Sequence, residues 1–175
     1  RAFDYEKFIR PGKWPHIWCP GCGHGIVMKG LIRAMDTLNL KKEETAIVSG
    51  IGCASRLPGY IDCCTLHTAH GRAAAFATGV KLAKPEMNVI LVGGDGDGTA
   101  IGGNHFIHAC RRNINMAYII MNNYIYGMTG GQFSPCTPTG HSSPVSGSIT
   151  FTSVNSKSCP TVLQRTSKGS SIREA

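Results

Sequence analysis

The chain has 175 residues, enough for one domain with its own core, and 18 Lys and Arg stand against 10 Asp and Glu, a formal net charge of +8. The basic residues are scattered, with Lys41-Lys42 and Arg111-Arg112 as the adjacent pairs and no interleaved aromatics, so the charge suits anionic substrates or an acidic protein partner better than nucleic acid. No apolar run is long enough for a membrane span, no secretion signal opens the chain, and eight cysteines sit among helix and strand patterns, so we expect a metal or cluster site in a reducing, cytoplasmic setting rather than a disulfide framework.

Residues 1–18 carry Phe3, Tyr5, Phe8, Trp14 and Trp18, broken by Pro11-Gly12 and Pro15. They read as an irregular arm lying over the domain or over a partner. Cys19-Pro20-Gly21-Cys22-Gly23-His24 is a tight turn with two thiols aimed the same way. A helix is predicted over 25–38, its buried stripe being Val27, Leu31, Ala34, Met35 and Leu38. Residues 46–51 form a first core strand that ends in Gly52-Cys53-Ala54-Ser55-Arg56. The chain turns again from Leu66 to Arg72. A helix follows over 72–83, with Ala73, Phe76, Ala77 and Val80 inward and Pro85 stopping it.

The stretch Asn88-Val89-Ile90-Leu91-Val92 is a short apolar run of β-formers, hence a buried strand. It breaks into Gly93, Gly94, Asp95, Gly96, Asp97 and Gly98. The glycines allow a sharp turn and a close approach to a ligand, and the carboxylates can hold a divalent ion that neutralises phosphate charge. A helix over 103–112 follows, with Phe106, Ala109 and Cys110 packed and Arg111 and Arg112 at its carboxyl end. A second strand, 116–121, runs into Asn122-Asn123, whose amide oxygens suit a hard cation or phosphate donors. Both groups then lie at the carboxyl edge of a parallel sheet, where open α/β sheets bind ligands. Gly127, Met128 and Thr129 begin a glycine- and hydroxyl-rich loop that reads as a lid over residues 127–135. From residue 140 serine dominates and periodicity is lost, which reads as linker, with Thr161-Val162-Leu163-Gln164 as a hint of one more strand. The expected organisation is an arm (1–18), an α/β domain with a parallel sheet and helices on both faces (19–140), and a serine-rich tail (141–175) that leaves the fold incomplete at its C-terminal side.

The glycine–aspartate turn is neither the dinucleotide fingerprint nor a P-loop. Gly94-Asp95-Gly96 followed about thirty residues on by Asn122-Asn123 resembles the thiamine diphosphate signature. That resemblance implies Mg²⁺ held by the side chains of Asp95 and Asn123 and the carbonyl of Ile125, with the diphosphate supplying the rest. Among the cysteines, Cys19 and Cys22 form one C-x-x-C pair and Cys53 ends the first strand. Zinc with His24 as a further ligand and an iron–sulfur cluster both fit such a set, whereas a thioredoxin-like pair would follow a strand. Cys110 reads as a core residue; Cys63, Cys64, Cys136 and Cys159 have no role by spacing.

Taken together, Trp18-Cys19-Pro20-Gly21-Cys22-Gly23, Ser49-Gly50-Ile51-Gly52-Cys53, Leu66-His67-Thr68 with His70-Gly71-Arg72, Gly94-Asp95-Gly96-Asp97, Ile101-Gly102-Gly103-Asn104-His105, Arg111-Arg112-Asn113 and Ile125-Tyr126-Gly127-Met128-Thr129-Gly130-Gly131-Gln132 resemble the β subunit of 2-oxoacid:ferredoxin oxidoreductases in order and spacing, over about residues 8–140. The last of these segments is most similar to the 2-oxoglutarate branch. The resemblance implies a thiamine diphosphate-binding fold and oxidative decarboxylation of a 2-oxoacid. Electrons pass through a [4Fe–4S] cluster to ferredoxin, and the acyl group leaves on coenzyme A. It implies an α subunit as partner, with room for small γ and δ subunits. Cys19, Cys22 and Cys53 would ligate the cluster. Gly52, Cys53 and His70 would approach the thiazolium or diphosphate side, His70 either carrying a proton or making a structural hydrogen bond. The cofactor would further meet Gly94, Asp95, Gly96, Asp97, Asn123, Ile125, Gly127, Met128 and Thr129. His67, His105 and His108 default to structural roles. Two departures stand out: the family's fourth cluster cysteine lies far downstream of Cys53, with Cys159 the nearest substitute by order, and the serine-rich tail does not follow the family's course. The same chemistry on pyruvate or another 2-oxoacid, a truncated subunit that binds its partner without transferring electrons, and a zinc-stabilised binding module are the competing readings.

Overall fold

Residues 46–48 and 89–92 are apolar on both sides, and that composition decides the architecture, because such strands must be covered on two faces. The computed structural model of the chain describes residues 3–148 with the exception of 144. Strand β1 (Thr45–Ser49) is buried at every position, and β3 (Asn88–Gly94) at all but its first and last. Four strands pair in the order β2-β1-β3-β4, with β2 at Cys64–His67 and β4 at Ala117–Met121. Every pairing is parallel; Ile47 lies opposite Ile90 and Thr65, and Val92 opposite Ile119.

Side-chain alternation splits the core in two. Ile47, Ile90 and Val92 face one layer, which holds helix α1 (His24–Thr37) through Met28, Leu31, Ile32 and Met35, together with Leu57 and Ile61. Ala46, Val48, Val89 and Leu91 face the other, which holds α2 (Ala73–Ala83) and α3 (Gly103–Arg111). Burying each large aliphatic side chain contributes roughly 1.5–3 kcal/mol. On α2 the buried residues Ala73, Ala74 and Ala77 are small, which lets that helix lie close on the sheet.

The expected α/β class with helices on both faces is borne out, while several faces differ. The buried stripe of α1 is Met28, Leu31, Ile32 and Met35; Ala34 and Leu38 are exposed and Val27 largely so. That helix carries two apolar stripes one residue apart, a rotation of about 100°. The choice between them is made by what covers it. Phe76 is half exposed, so α2 turns its alanines rather than its one aromatic to the sheet. Cys110 is exposed too: Phe106 and Ala109 fill the contact of α3, leaving the following position at its edge. The segment read as a turn at Leu66 contains the end of edge strand β2, which is mostly exposed and so lacks the apolar run that marked the central strands.

The aromatic arm is packed onto this chain's own core. Phe8 and Trp18 belong to the α1-side cluster. Ile9 bridges to Ile61, Arg10 N–H donates to the Tyr60 carbonyl (2.9 Å), and Asp62 N–H donates to that of Phe8 (2.8 Å). Beyond β4, β5 (Ile125–Tyr126) and β6 (Gln132–Phe133) pair antiparallel, so the expected lid is the tip of a hairpin. A second short pair, β7 (Ser142–Ser143) with β8 (Gly147–Ser148), lies in the stretch read as linker. The strand hinted at Thr161 to Gln164, and Cys159, lie outside the described residues. Among the described residues no helix is long and apolar enough to cross a membrane.

Candidate active site

The chain leaves β1 for β2 on one side of the sheet, then returns to lay β3 on the other side of β1. The loops after β1 and β3 therefore part in opposite directions and open a crevice between the strands' carboxyl ends. A cavity of about 400 Å³ lies there. It is lined by Gly52, Cys53, His70, Gly94, Asp95, Gly96, Asp97, Asn123, Ile125, Gly127, Met128 and Thr129, and by Cys22. The residues singled out by sequence for the cofactor thus share one cavity. Cys19 does not line it; it lies with Cys22 on a neighbouring cavity beside Trp14, His16 and Lys29. His105 and His108 line neither.

The two carboxylates have different surroundings. Asp95 is 1 % exposed; its Oδ1 accepts the Asn123 N–H (3.2 Å) and its Oδ2 the Ser134 hydroxyl (3.1 Å). Ser134 is itself held by the Cys136 N–H (3.2 Å). Asp95 therefore ties the ends of β3 and β4 to the strand that leaves the hairpin. Asp97 sits in a π-helical turn, Gly96–Ile101, that leads into α3. Its Oδ1 accepts N–H groups from Ile51 (3.1 Å) and Gly71 (2.7 Å) and meets Nδ1 of His70 at 2.6 Å. Asp97 thus gathers the loops after β1, β2 and β3. Its Oδ2 is buried with no hydrogen-bond partner among the described residues.

Close packing explains one glycine of the turn. A Cβ on Gly96 would fall inside contact distance of the Tyr126 ring. Tyr126 leans over that bare backbone and meets His70 edge-on at 6.2 Å between ring centres. Burial, and then the nearby Asp95 and Asp97, push its phenol up from the ordinary value. Sequence reasoning passed over Tyr126 as a site residue, and also Val27 and Ile51, which line the cavity. It missed Ser134 as the partner of Asp95. Tyr126 stands inside the Asn-Asn-x-x-Tyr-Gly segment that drew attention to its neighbours; Ser134 stood in the hydroxyl-rich loop 127–135, but nothing in the sequence tied it to Asp95.

The donors fit a hard cation at one end of the cavity. An ionised carboxylate has about four lone-pair sites, of which two on Asp95 are taken, and Asn123 adds an amide oxygen. At the other end are thiols. Cys53 lies close enough to Cys19 and Cys22 that, after burial, each of them raises its thiol above the ordinary value. Cys22 Sγ lies 3.1 Å from Nδ1 of His24. Cys136 belongs elsewhere, with its sulfur 3.3 Å from the Thr99 hydroxyl beside Asp95.

Residues 50–165 match the family described as "Thiamine pyrophosphate enzyme, C-terminal TPP binding domain". The chain belongs to that family. It is also 59 % identical over 134 residues to the 2-oxoglutarate synthase subunit KorB of Methanocaldococcus jannaschii, covering 77 % of this chain and 50 % of that protein. Identity to the subunit of the same name from Archaeoglobus fulgidus is 56 % over 137 residues, covering 78 % and 51 %. Among solved structures, 2-oxoglutarate:ferredoxin oxidoreductase from Magnetococcus marinus with 2-oxoglutarate, coenzyme A and succinyl-CoA bound superposes with a TM-score of 0.77 at 43 % identity, covering 83 % of this chain and 50 % of that one. The chain spans about half the length of the curated relatives it matches. The resemblance to β subunits of 2-oxoacid:ferredoxin oxidoreductases, and to their 2-oxoglutarate branch, is borne out. A thiamine diphosphate-binding domain is consistent with a glycine-rich turn and its carboxylates at the carboxyl edge of the sheet.

Proposed function

We propose that this chain carries the thiamine diphosphate-binding part of a β subunit that oxidatively decarboxylates 2-oxoglutarate, releases the acyl group on coenzyme A and sends the electrons to ferredoxin. The reading rests above all on one observation: the oxygen donors Asp95 and Asn123 and the thiols Cys22 and Cys53 open on the same cavity. A diphosphate needs a hard cation and bare backbone, an electron acceptor needs soft donors, and the two must be close for electrons to pass.

In this reading Asp95, Asn123 and the Ile125 carbonyl would hold Mg²⁺, and Cys19, Cys22 and Cys53 would supply three ligands of a [4Fe–4S] cluster. When bound, thiamine diphosphate supplies the electron sink for decarboxylation. The rest is the work of the chain's own groups. The turn through Gly94 and Gly96 lines the cavity with backbone at the end of β3. Asp97 fixes the loops of Ile51 and His70 around it. His70, oriented through Nδ1, is placed to hold or move a proton at Nε2. Gly52, Gly127, Met128 and Thr129 complete the cavity wall. An α subunit, with or without smaller subunits, completes the enzyme, and a cytoplasmic location suits oxygen-sensitive thiolates.

The test is a calorimetric titration of thiamine diphosphate into the full-length protein, purified without oxygen together with its co-purifying partner. Saturable binding that needs Mg²⁺ and disappears in Asp95→Ala is expected; binding indifferent to Mg²⁺ and to that substitution overturns the site. Iron and acid-labile sulfide, about four of each per chain, with viologen reduction that depends on 2-oxoglutarate and coenzyme A, are expected of the same preparation. Faster turnover of pyruvate would move the substrate assignment; absence of both elements would remove the electron-transfer role.

A further inference from the structure

Trp18 is held from several sides, His16 among them at 5.1 Å between ring centres. It precedes Cys19 in the chain. Its indole N–H donates to the carbonyl oxygen of Cys53 at 2.7 Å. Its ring stacks on His24 with 5.4 Å between centres and 19° between planes, and Nδ1 of that imidazole faces Cys22 Sγ at 3.1 Å. Tyr60 meets its edge at 5.0 Å. The indole is nearly buried, so the N–H has been taken from water, and the Cys53 carbonyl is its partner. Tyr60 in turn follows the 3-10 turn Ala54–Gly59 that begins just after Cys53, and its hydroxyl accepts the Ile17 N–H at 3.0 Å.

Cys53 and the Cys19–Cys22 turn come from segments more than thirty residues apart, and the indole hydrogen bond to the Cys53 carbonyl ties one to the other. We infer that Trp18 is the positioning residue that sets the third thiol against the first two, through the Cys53 carbonyl on one edge and His24 on its face. The inference rests on the cluster-ligand reading proposed above, but what it asserts is the spacing of three sulfur atoms, which can be measured with or without iron. Such a clamp matters because a rigid metal centre needs its ligands placed before it forms, and because hydrogen bonding around the sulfurs sets its potential.

The experiment compares wild type with Trp18→Phe, each as the full-length chain purified anaerobically with its partner. Phenylalanine keeps a ring to stack on His24 and removes the N–H to Cys53. Iron is stripped from half of each sample with a chelator, and Cys53 is joined to Cys19 or Cys22 with a short bifunctional thiol reagent, the products being mapped by mass spectrometry. The cross-linking rate is expected to fall roughly two- to tenfold in the variant, the worth of one buried hydrogen bond. In the untreated half, the reduced cluster of the variant is expected to show a shifted EPR line shape and midpoint potential and to lose iron faster in air. An unchanged cross-linking rate together with an unchanged spectrum overturns the inference. If wild type holds no iron or sulfide, the cluster reading fails and the cross-linking rate alone decides the role of Trp18. Should Trp18→Phe not fold, His24→Ala removes the stacked ring from the other side and is expected to slow the same cross-link; no change there also overturns it.

Discussion

His70 Nδ1 and Asp97 Oδ1 meet at 2.6 Å, joining the loop after β2 to the turn after β3. Asp97 is almost wholly buried while His70 is partly open to the cavity. A buried carboxylate on one ring nitrogen orients the imidazole and leaves the other nitrogen for the ligand side. The same carboxylate oxygen accepts the Gly71 and Ile51 N–H groups, so one side chain fixes three loops.

Asp97→Asn is therefore expected to act through the three loops it holds as well as at the cavity wall. The amide keeps one acceptor oxygen but loses the charge that strengthens all three bonds, at a cost of about 2–4 kcal/mol in stability. Relaxed loops are expected to weaken thiamine diphosphate at least roughly tenfold, since small misplacements around a bound group are expensive. Denaturant titration and calorimetry check the two effects. A folded variant with wild-type affinity would show that Asp97 only holds the scaffold.

Ser134→Ala removes the hydroxyl that donates to Asp95 Oδ2. Because Asp95 is buried, the expected loss is about 1–3 kcal/mol of stability. Affinity for Mg²⁺ with thiamine diphosphate is expected to fall as well, while Ser134→Thr restores much of both. The readouts are the Mg²⁺ dependence of thiamine diphosphate binding and the thermal midpoint.

A Cβ on Gly98 would collide with the Tyr118 hydroxyl. Gly98→Ala is expected to lose about 1–3 kcal/mol by overpacking. Tyr118→Phe in the same chain removes the colliding oxygen, so the double variant is expected to be more stable than Gly98→Ala alone. Equal stability of the two in urea melts would show that the strain lies in the backbone.

The Cys63 thiol, raised chiefly by burial and then by Asp62, titrates at about 11 rather than 9.0. Below 9.0 it is neutral in both the folded and the unfolded chain and has no effect on the balance. Between 9.0 and about 11 the unfolded chain releases the proton and the folded chain does not, so the folded state loses stability as pH rises. Cys63→Ser abolishes that loss. Urea midpoints at the two ends of this window are expected to draw apart less for the variant than for wild type.

Much of this molecule was legible in its residues. The strands read at 46–51 and 88–92 are apolar at successive positions over 46–48 and 89–92, which requires cover on both faces and hence a parallel sheet between helices. Gly94-Asp95-Gly96 and Asn122-Asn123 marked the ligand edge because glycine and hard oxygen donors at strand ends suit few other purposes. Cys19, Cys22 and Cys53 drew attention by type and spacing. Where helix signals were doubled they misled: α1 has two apolar stripes, and only the packing of Ile47, Leu57 and Phe8 selects Met28 over Val27. The exposed edge strand β2 was silent because its hydrogen bonds to β1, rather than its side chains, make it a strand. The tertiary structure alone decided that Asp95 is held by Ser134 and that Asp97 gathers three loops. It alone decided that Trp18 reaches Cys53. Local pattern records what each segment can bury. Which donor reaches which acceptor across tens of residues depends on how the segments stack, and that is set by packing.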